Sequence, residues 1–185
     1  MNDELADVRQ CYGLFYRRTS KHSAARLWRA ITDAGELSRW MAYPMRVDLR
    51  VGGDYYADFS RTGGGELDGV IVKIEPQRLL RYAWGTSIVE WTIEPAETGS
   101  RYVFAQHGLY PRPLPDEEGL AAGWHVWLED LERFLDTGSP STEEAGGIRW
   151  HAMGKLYRPK LEAAVTLPPP DPVYSPHSSP PSAPA

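Results

Sequence analysis

The feature that most constrains this chain is an amphipathic segment, residues 121–135 (AAGWHVWLEDLERFL), which follows a long stretch of alternating apolar and polar residues. Its apolar residues recur at helical spacing, and this predicts a long helix with one buried face. The members of this stripe are Leu120, Trp124, Leu128, Leu131 and Leu135, with Trp127 and Phe134 on its flank. Two tryptophans make the stripe broad, so we expect the helix to lie against a curved sheet and to leave a lined cavity.

The segments before this helix read as two short helices and a series of strands. Residues 11–19 predict a first strand, and Ser23 and Asp33 are predicted to cap the two helices. Alternation then predicts strands up to Gln106, one of which carries Val70, Val72 and Ile74 on one face. Short glycine turns between the strands favour antiparallel pairing. The predicted fold class is therefore α+β, with a curved antiparallel sheet of about six to seven strands gripping a long C-terminal helix.

The chain divides into three predicted parts. Residues 10–137 form the main domain, which ends with the long helix. Residues 138–166 form a C-terminal extension with a helix over 145–158, because Trp150, Met153, Tyr157 and Leu161 make an apolar stripe that Pro159 is expected to end or kink. Residues 167–185 are rich in Pro and Ser and lack apolar mass, so a disordered tail is predicted.

Composition excludes several classes of function. The formal net charge is -5 and the basic residues are scattered, which argues against nucleic acid as a partner. No apolar run approaches the ~20 residues that cross a bilayer, and the polar N-terminus does not read as a signal peptide. A single cysteine, Cys11, fits a reducing cytoplasm. The five histidines show no ligand spacing, so neither a metal nor another cofactor is predicted.

Four segments carry a resemblance to a known family. They are LWRAITDAGELSRWMA (27–42), VDLRVGGDYYADF (47–59), GVIVKIEPQRLLRYAW (69–84) and the pair Gly123-Trp124. In this order they resemble the SRPBCC superfamily, with its START-like helix-grip fold, and within it the branch named for activators of the heat-shock protein 90 ATPase. The branch often has a histidine near the end of its last strand. This chain has Gln106 there, with His107 one place later and so on the opposite face.

The resemblance implies a deep pocket between the sheet and the long helix. The alternation of inward and outward residues along each strand, together with the helical stripes, gives the ligand-binding candidates that would line this pocket. They are Trp40, Tyr55, Phe59, Tyr82, Trp84, Trp91, Tyr102, Phe104, Gln106, Trp124 and Trp127. Such rings suit a flat apolar guest, and the tyrosine hydroxyls and the Gln106 amide would orient it. The alternative is that the rings fill the core. His125, one step off the stripe and four residues before Glu129, is expected to be a solvated, ion-paired flank.

Three functions follow from these observations. The first is binding of a hydrophobic or aromatic small molecule, a lipid or a secondary metabolite, for transport, sequestration or self-resistance. The second, which the wider superfamily suggests, is a polyketide cyclase or aromatase, with Tyr55, Tyr82, Tyr102, Gln106 and Arg81 as polar candidates. None of these forms an acid–base pair by spacing, so no catalytic residue is assigned. The third is a co-chaperone-like activator of a heat-shock protein 90 ATPase.

Overall fold

The computed structural model describes residues 7–9, 13–108 and 114–165, so Cys11 and the predicted tail 167–185 lie outside it. Two antiparallel sheets form the β-layer. The larger has the strand order β1-β2-β9-β8-β7-β6, in which the three-residue β1 extends one edge of five longer strands, and the smaller has the order β3-β4-β5. The strands are β1 Asp7–Arg9, β2 Gly13–Ser20, β3 Met45–Val47, β4 Tyr55–Asp58, β5 Glu66–Leu67, β6 Gly69–Glu75, β7 Leu79–Trp84, β8 Ser87–Pro95 and β9 Ser100–His107.

The α+β class and the antiparallel pairing are confirmed, but the strands divide between two sheets instead of forming one. The segment before β4 meets β6 through an isolated bridge between Asp54 and Val70 and two backbone hydrogen bonds between the glycine turn and Ile71. No ladder continues from there, and β3 to β5 form a sheet of their own. The prediction for β6 also needs correction. Val70 and Val72 face solvent, Ile71 is buried, and a register shift between Ile71 and Lys73 returns Ile74 to the core side.

Two short helices, α1 Ala24–Thr32 and α2 Ala34–Met41, follow β2 as predicted. The Ser23 side chain accepts a hydrogen bond from the backbone of Arg26, and Asp33 accepts one from the backbone of Glu36. Each cap satisfies an N–H that the first helical turn leaves free. The second helix ends at Ala42 in a left-handed conformation, which turns the chain towards Tyr43.

The long helix, α3, spans Leu114–Thr137 and lies against the inner face of the larger sheet. It begins before the predicted stripe because a proline in the first turn, Pro115, does not interrupt a helix. Trp124, Leu128 and Leu131 are fully buried, which confirms the stripe. The hydroxyl of Tyr16 on β2 donates to the carbonyl of Ala121, 2.7 Å away, and ties the helix to the sheet.

The C-terminal helix, α4, spans Glu143–Val165, longer than the 145–158 expected. Pro159 does not end it, because proline removes one backbone donor while Tyr157 and Leu161, buried on either side, hold the helix to the body. Its docking overturns the expectation for His125, which is fully buried against Tyr157 instead of solvated. The predicted neighbour is present, since His125 Nε2 lies 3.3 Å from a carboxylate oxygen of Glu129. No helix in the described parts of the chain is long and apolar enough to cross a bilayer.

Candidate functional site

A cleft of about 1090 Å³ opens where α3 and α4 meet the end of α2 and the turn between β7 and β8. Its apolar lining comes from all of these elements. The main apolar residues are Met41, Tyr43, Leu67, Trp84, Leu120, Val126, Trp127 and Trp150. The cleft is open to solvent on one side. Its size and apolar lining are those of a small-molecule site.

Aromatic rings form one continuous wall of this cleft. Trp127 on α3 is in contact with Phe59, with their centroids 5.9 Å apart, and with Tyr43 at 6.0 Å. Trp84, which also lines the cleft, contacts Phe59 at 5.7 Å and Trp124 at 5.7 Å. Rings at these distances attract one another, so the wall is formed without a ligand.

Gln106 fixes the floor of the cleft through a chain of hydrogen bonds. Its amide oxygen accepts from the indole N–H of Trp124 at 2.7 Å, and its amide nitrogen donates to Ser87 Oγ at 2.7 Å. The Ser87 hydroxyl then donates to the carbonyl oxygen of Trp84 at 2.9 Å. The side chains of Gln106, Ser87 and Trp124 all have partners in this network, which orients the Trp124 indole at little cost in desolvation. Trp84 takes part only through its backbone carbonyl, and its buried indole nitrogen has no hydrogen-bond partner among the described residues.

The structure divides the eleven predicted site residues into two groups. Trp84, Gln106 and Trp127 line the cleft, and Phe59 lies directly behind it. The other seven fill the core in contact with one another or with the backbone, for instance Tyr55 stacked on Tyr82 with centroids 3.9 Å apart. These seven are Trp40, Tyr55, Tyr82, Trp91, Tyr102, Phe104 and Trp124. The assignment of all eleven as ligand-binding residues stays a prediction.

The interlocked rings are packed at close distances. Phe104 lies 4.0 Å from Trp124 and 4.9 Å from Trp91, and the Trp40 indole donates to the carbonyl of Ala30 at 2.9 Å. Burial raises the pKa of Tyr55, Tyr82 and Tyr102 above the usual value, so these phenols stay protonated at neutral pH. Arg81 pairs with Glu90 on the neighbouring strand and is not among the lining residues that the structure describes.

Comparison with known proteins places this domain. The sequence profile of the family described as activator of Hsp90 ATPase homolog 1-like protein matches residues 21–136, more than half of the chain. The chain belongs to this family. It is thereby a member of the SRPBCC superfamily, and the resemblance drawn from the sequence is confirmed. A comparison with curated proteins finds no match.

Solved structures show which parts of the family fold are shared. A conserved protein of unknown function from Enterococcus faecalis, EF2215, is 20% identical with a TM-score of 0.72, over 86% of this chain and 91% of its own. CalU16 from Micromonospora echinospora is 19% identical with a TM-score of 0.64, over 85% and 95%. DynU16, a protein in the dynemicin biosynthetic locus, is 22% identical with a TM-score of 0.60, over 69% and 48%.

The match to EF2215 covers 86% of the 185 residues, which is about 159 residues. This is more than the 137 residues from the start of the chain to the end of α3. The fold shared with EF2215 and CalU16 therefore extends beyond the residues of the family profile, past the end of α3.

Among the described residues that line the cleft, Arg61, Asp130 and Glu143 carry charged side chains. Arg61 donates to the carbonyl of Ala42. Asp130 is half-buried, and one of its oxygens accepts from the backbone of Ser141 at 2.7 Å. Burial raises the pKa of this carboxyl, more than the Ser141 hydrogen bonds lower it. Across the described residues, no three His, Cys, Asp or Glu side chains converge as metal ligands.

Several lining residues were not predicted from the sequence. Tyr43 and Ser87 lie in or beside turns, where no periodicity marks an inward direction. Leu67 belongs to a two-residue strand, too short to show alternation. Trp150 was assigned to the docking stripe of the last helix, and nothing in the sequence says that this helix meets the cleft.

Proposed function

We propose that this protein binds an apolar or aromatic small molecule in the cleft between α3, α4 and the β7–β8 turn. The ligand is a lipid or a secondary metabolite, and binding serves transport, sequestration or self-resistance. The observation that carries the proposal is the aromatic wall of Trp84, Trp127 and Tyr43, which lines a cleft of about 1090 Å³. A preformed apolar surface binds without first ordering its side chains, which reduces the cost of association.

The distribution of polar groups supports an apolar guest. The floor hydrogen bonds are already internal to the protein, since Gln106 accepts from the Trp124 indole and donates to Ser87, which donates to the backbone carbonyl of Trp84. An apolar ring therefore covers these groups without removing their partners, whereas a buried polar group that lost its partner would cost about 1–3 kcal/mol. The indole nitrogen of Trp84 has no hydrogen-bond partner among the described residues even without a ligand. Polar substituents of the ligand would lie towards Arg61 and Asp130.

The choice of a secondary metabolite draws on one relative. DynU16, which shares the fold, is a protein in the dynemicin biosynthetic locus. A likeness at 22% identity carries the fold alone, so the ligand class is proposed here from the chemistry of the cleft, with the biosynthetic setting of that relative as support.

The test is a titration with 2-naphthoate, anthracene-9-carboxylate and pyrene-1-carboxylate, followed by tryptophan fluorescence and calorimetry. We expect saturable binding of at least one probe and a weakening of at least about 10-fold in Trp127→Ala, because that substitution removes the central ring of the wall. Trp28→Ala is the matched control, since Trp28 is also a half-buried helical tryptophan but does not line the cleft. Equal losses in both variants, or no binding by the wild-type protein, would overturn the proposal.

One observation favours an enzyme as the second candidate. Asp130 is a half-buried carboxyl at the cleft with a raised pKa, the property that general acids and bases require. Turnover of a poly-β-ketone mimic that is lost in Asp130→Asn, with probe affinity retained, would support a cyclase or dehydratase. Stimulation of Hsp90 ATP hydrolysis that Trp127→Ala leaves unchanged would instead support the co-chaperone function.

A further inference from the structure

One wall of the cleft comes from outside the residues that define the family. The family profile ends at residue 136, and α4 begins at Glu143. The first half of α4 nevertheless contributes Gly146, Gly147 and Trp150 to the lining. The size of the cleft is therefore set jointly by the family domain and by this additional helix.

Trp150 is held at the cleft by contacts with α3. Its indole nitrogen donates to the carbonyl of Gly119 at 3.1 Å. A Cβ atom at Gly119 would stand 3.4 Å from the indole ring, and one at Gly123 would stand 3.9 Å from its nitrogen. Both are ordinary van der Waals distances, so the ring lies against the face of α3 that carries these two glycines, one helical turn apart. Trp150 is still 39% exposed, so burial in the core does not explain its position.

The helix that carries Trp150 is anchored by other residues. Arg149 donates hydrogen bonds to both carboxylate oxygens of Glu129, the shortest at 2.7 and 3.0 Å, and Tyr157 bonds to His125 at 2.9 Å. Met153 and Leu161 are buried against the body. Because these contacts do not involve the indole, α4 is expected to stay docked when Trp150 is made smaller.

We propose that Trp150 is a specificity-determining residue that closes the α4 end of the cleft and limits the size of the ligand. The inference rests on the proposed function, since it concerns the same cleft. The indole lines the cleft on the α4 side and is partly exposed, so a longer ring system that extends towards α4 meets it. A smaller side chain at this position lengthens the apolar wall and favours a larger ligand.

The experiment compares the dissociation constants of 2-naphthoate and pyrene-1-carboxylate in three variants. In Trp150→Ala we expect the ratio of the two dissociation constants to shift at least about 10-fold in favour of pyrene-1-carboxylate. Even one methylene in an apolar pocket changes the discrimination between two ligands by about 10-fold or more. Trp150→Phe should shift the ratio less. Ile148→Ala is the control, because Ile148 lies on the same helix, is 66% exposed and does not line the cleft.

The outcomes separate the two proposals. A shifted ratio in Trp150→Ala, graded in Trp150→Phe and absent in Ile148→Ala, supports the role of Trp150. An unchanged ratio, or an equal loss for both probes, overturns it while the cleft remains a binding site. Failure of the wild-type protein to bind either probe overturns the proposed function and this inference with it. Hydrogen exchange over residues 143–165 checks that α4 stays docked in each variant. If α4 undocks in Trp150→Ala, the ratio of dissociation constants in Trp150→Phe is compared with that of the wild-type protein instead.

Discussion

The imidazole Nδ1 of His125 lies 2.9 Å from the hydroxyl oxygen of Tyr157, and both side chains are fully buried between α3 and α4. The other ring nitrogen of His125 faces a carboxylate oxygen of Glu129 at 3.3 Å. When Nδ1 carries no proton, the phenol donates to it, and Nε2 then stands beside the Glu129 carboxylate. This pair joins the helix outside the family profile to the helix that the family shares.

Removing the Tyr157 hydroxyl tests this junction. Tyr157→Phe keeps the ring but leaves the buried Nδ1 of His125 without its partner. An unpaired buried polar atom costs about 1–3 kcal/mol, so we expect the free energy of unfolding in urea to fall by that amount.

Tyr43→Phe is the matched control for this prediction. The Tyr43 hydroxyl has only an exposed contact with Thr62 at 3.3 Å, so its loss should change stability by less than about 0.5 kcal/mol. Similar losses in the two variants would contradict a special role for the His125–Tyr157 hydrogen bond.

The pH dependence of stability should carry a contribution from Glu129. Partial burial alone would raise the pKa of this carboxyl, but the hydrogen bonds from His125 and Arg149 outweigh it and lower the pKa to about 2, from a usual value of 4.5. A lowered pKa in the folded state contributes stability that is present above pH 4.5 and is lost as the pH falls towards about 2.

Glu129→Gln measures this contribution. The difference in the free energy of unfolding between the wild-type protein and this variant should be largest above pH 4.5 and should shrink as the pH approaches 2. Glu144→Gln, on the exposed first turn of α4, is the control and should give a difference that does not change in this way. A constant difference for Glu129→Gln across this range would show that its carboxylate is not stabilised by these partners.

Trp84 should be important for stability as well as for the cleft. It is 5% exposed and contacts Phe59, Tyr82 and Trp124. We therefore expect Trp84→Ala to cost about 3–5 kcal/mol, the usual loss for a large buried ring. Trp150→Ala should cost clearly less, because that ring is 39% exposed. Thermal and urea unfolding of the two variants give the comparison, and an equal loss would mean that Trp84 is not packed as described.

The turn before β9 has little tolerance for a side chain at Gly99. This glycine has a φ of +86°, and a Cβ atom there would stand 2.0 Å from the carbonyl oxygen of Ser20. Gly99→Ala should lower the free energy of unfolding by about 1–2 kcal/mol because of the left-handed backbone, and by about 1–3 kcal/mol more because of the clash.

Gly52→Ala separates these two effects. Gly52 has a similar φ of +80°, but a Cβ atom there would have no neighbour within 4 Å. Only the backbone cost of about 1–2 kcal/mol is expected. If urea unfolding gives the same loss for both variants, the close approach of Gly99 to Ser20 makes no contribution.

Periodicity located the residues that face the core. Leu128 and Leu131 on α3 are buried as the helical spacing requires, and Tyr82 and Trp91 are buried as strand alternation requires. The same patterns could not separate a ring that contacts other rings from a ring that lines a cleft. Trp84 and Trp91 both face the core side of the sheet, from neighbouring strands. Of these two, Trp84 is the one that lies at the end of the sheet where the cleft opens.

The sequence by itself determined the two capped helices and the buried stripe of the long helix, because each depends on local spacing along one element. The order of the elements gave the α+β class, and the resemblance of four segments gave the family. Only the tertiary structure decided that β3 to β5 form a separate sheet, that His125 is buried, and that Trp150 lines the cleft. These three results depend on where one element docks on another. The free energy of docking comes from contacts between residues far apart in the chain, such as His125 with Tyr157 and Trp150 with Gly119, and no local pattern records them.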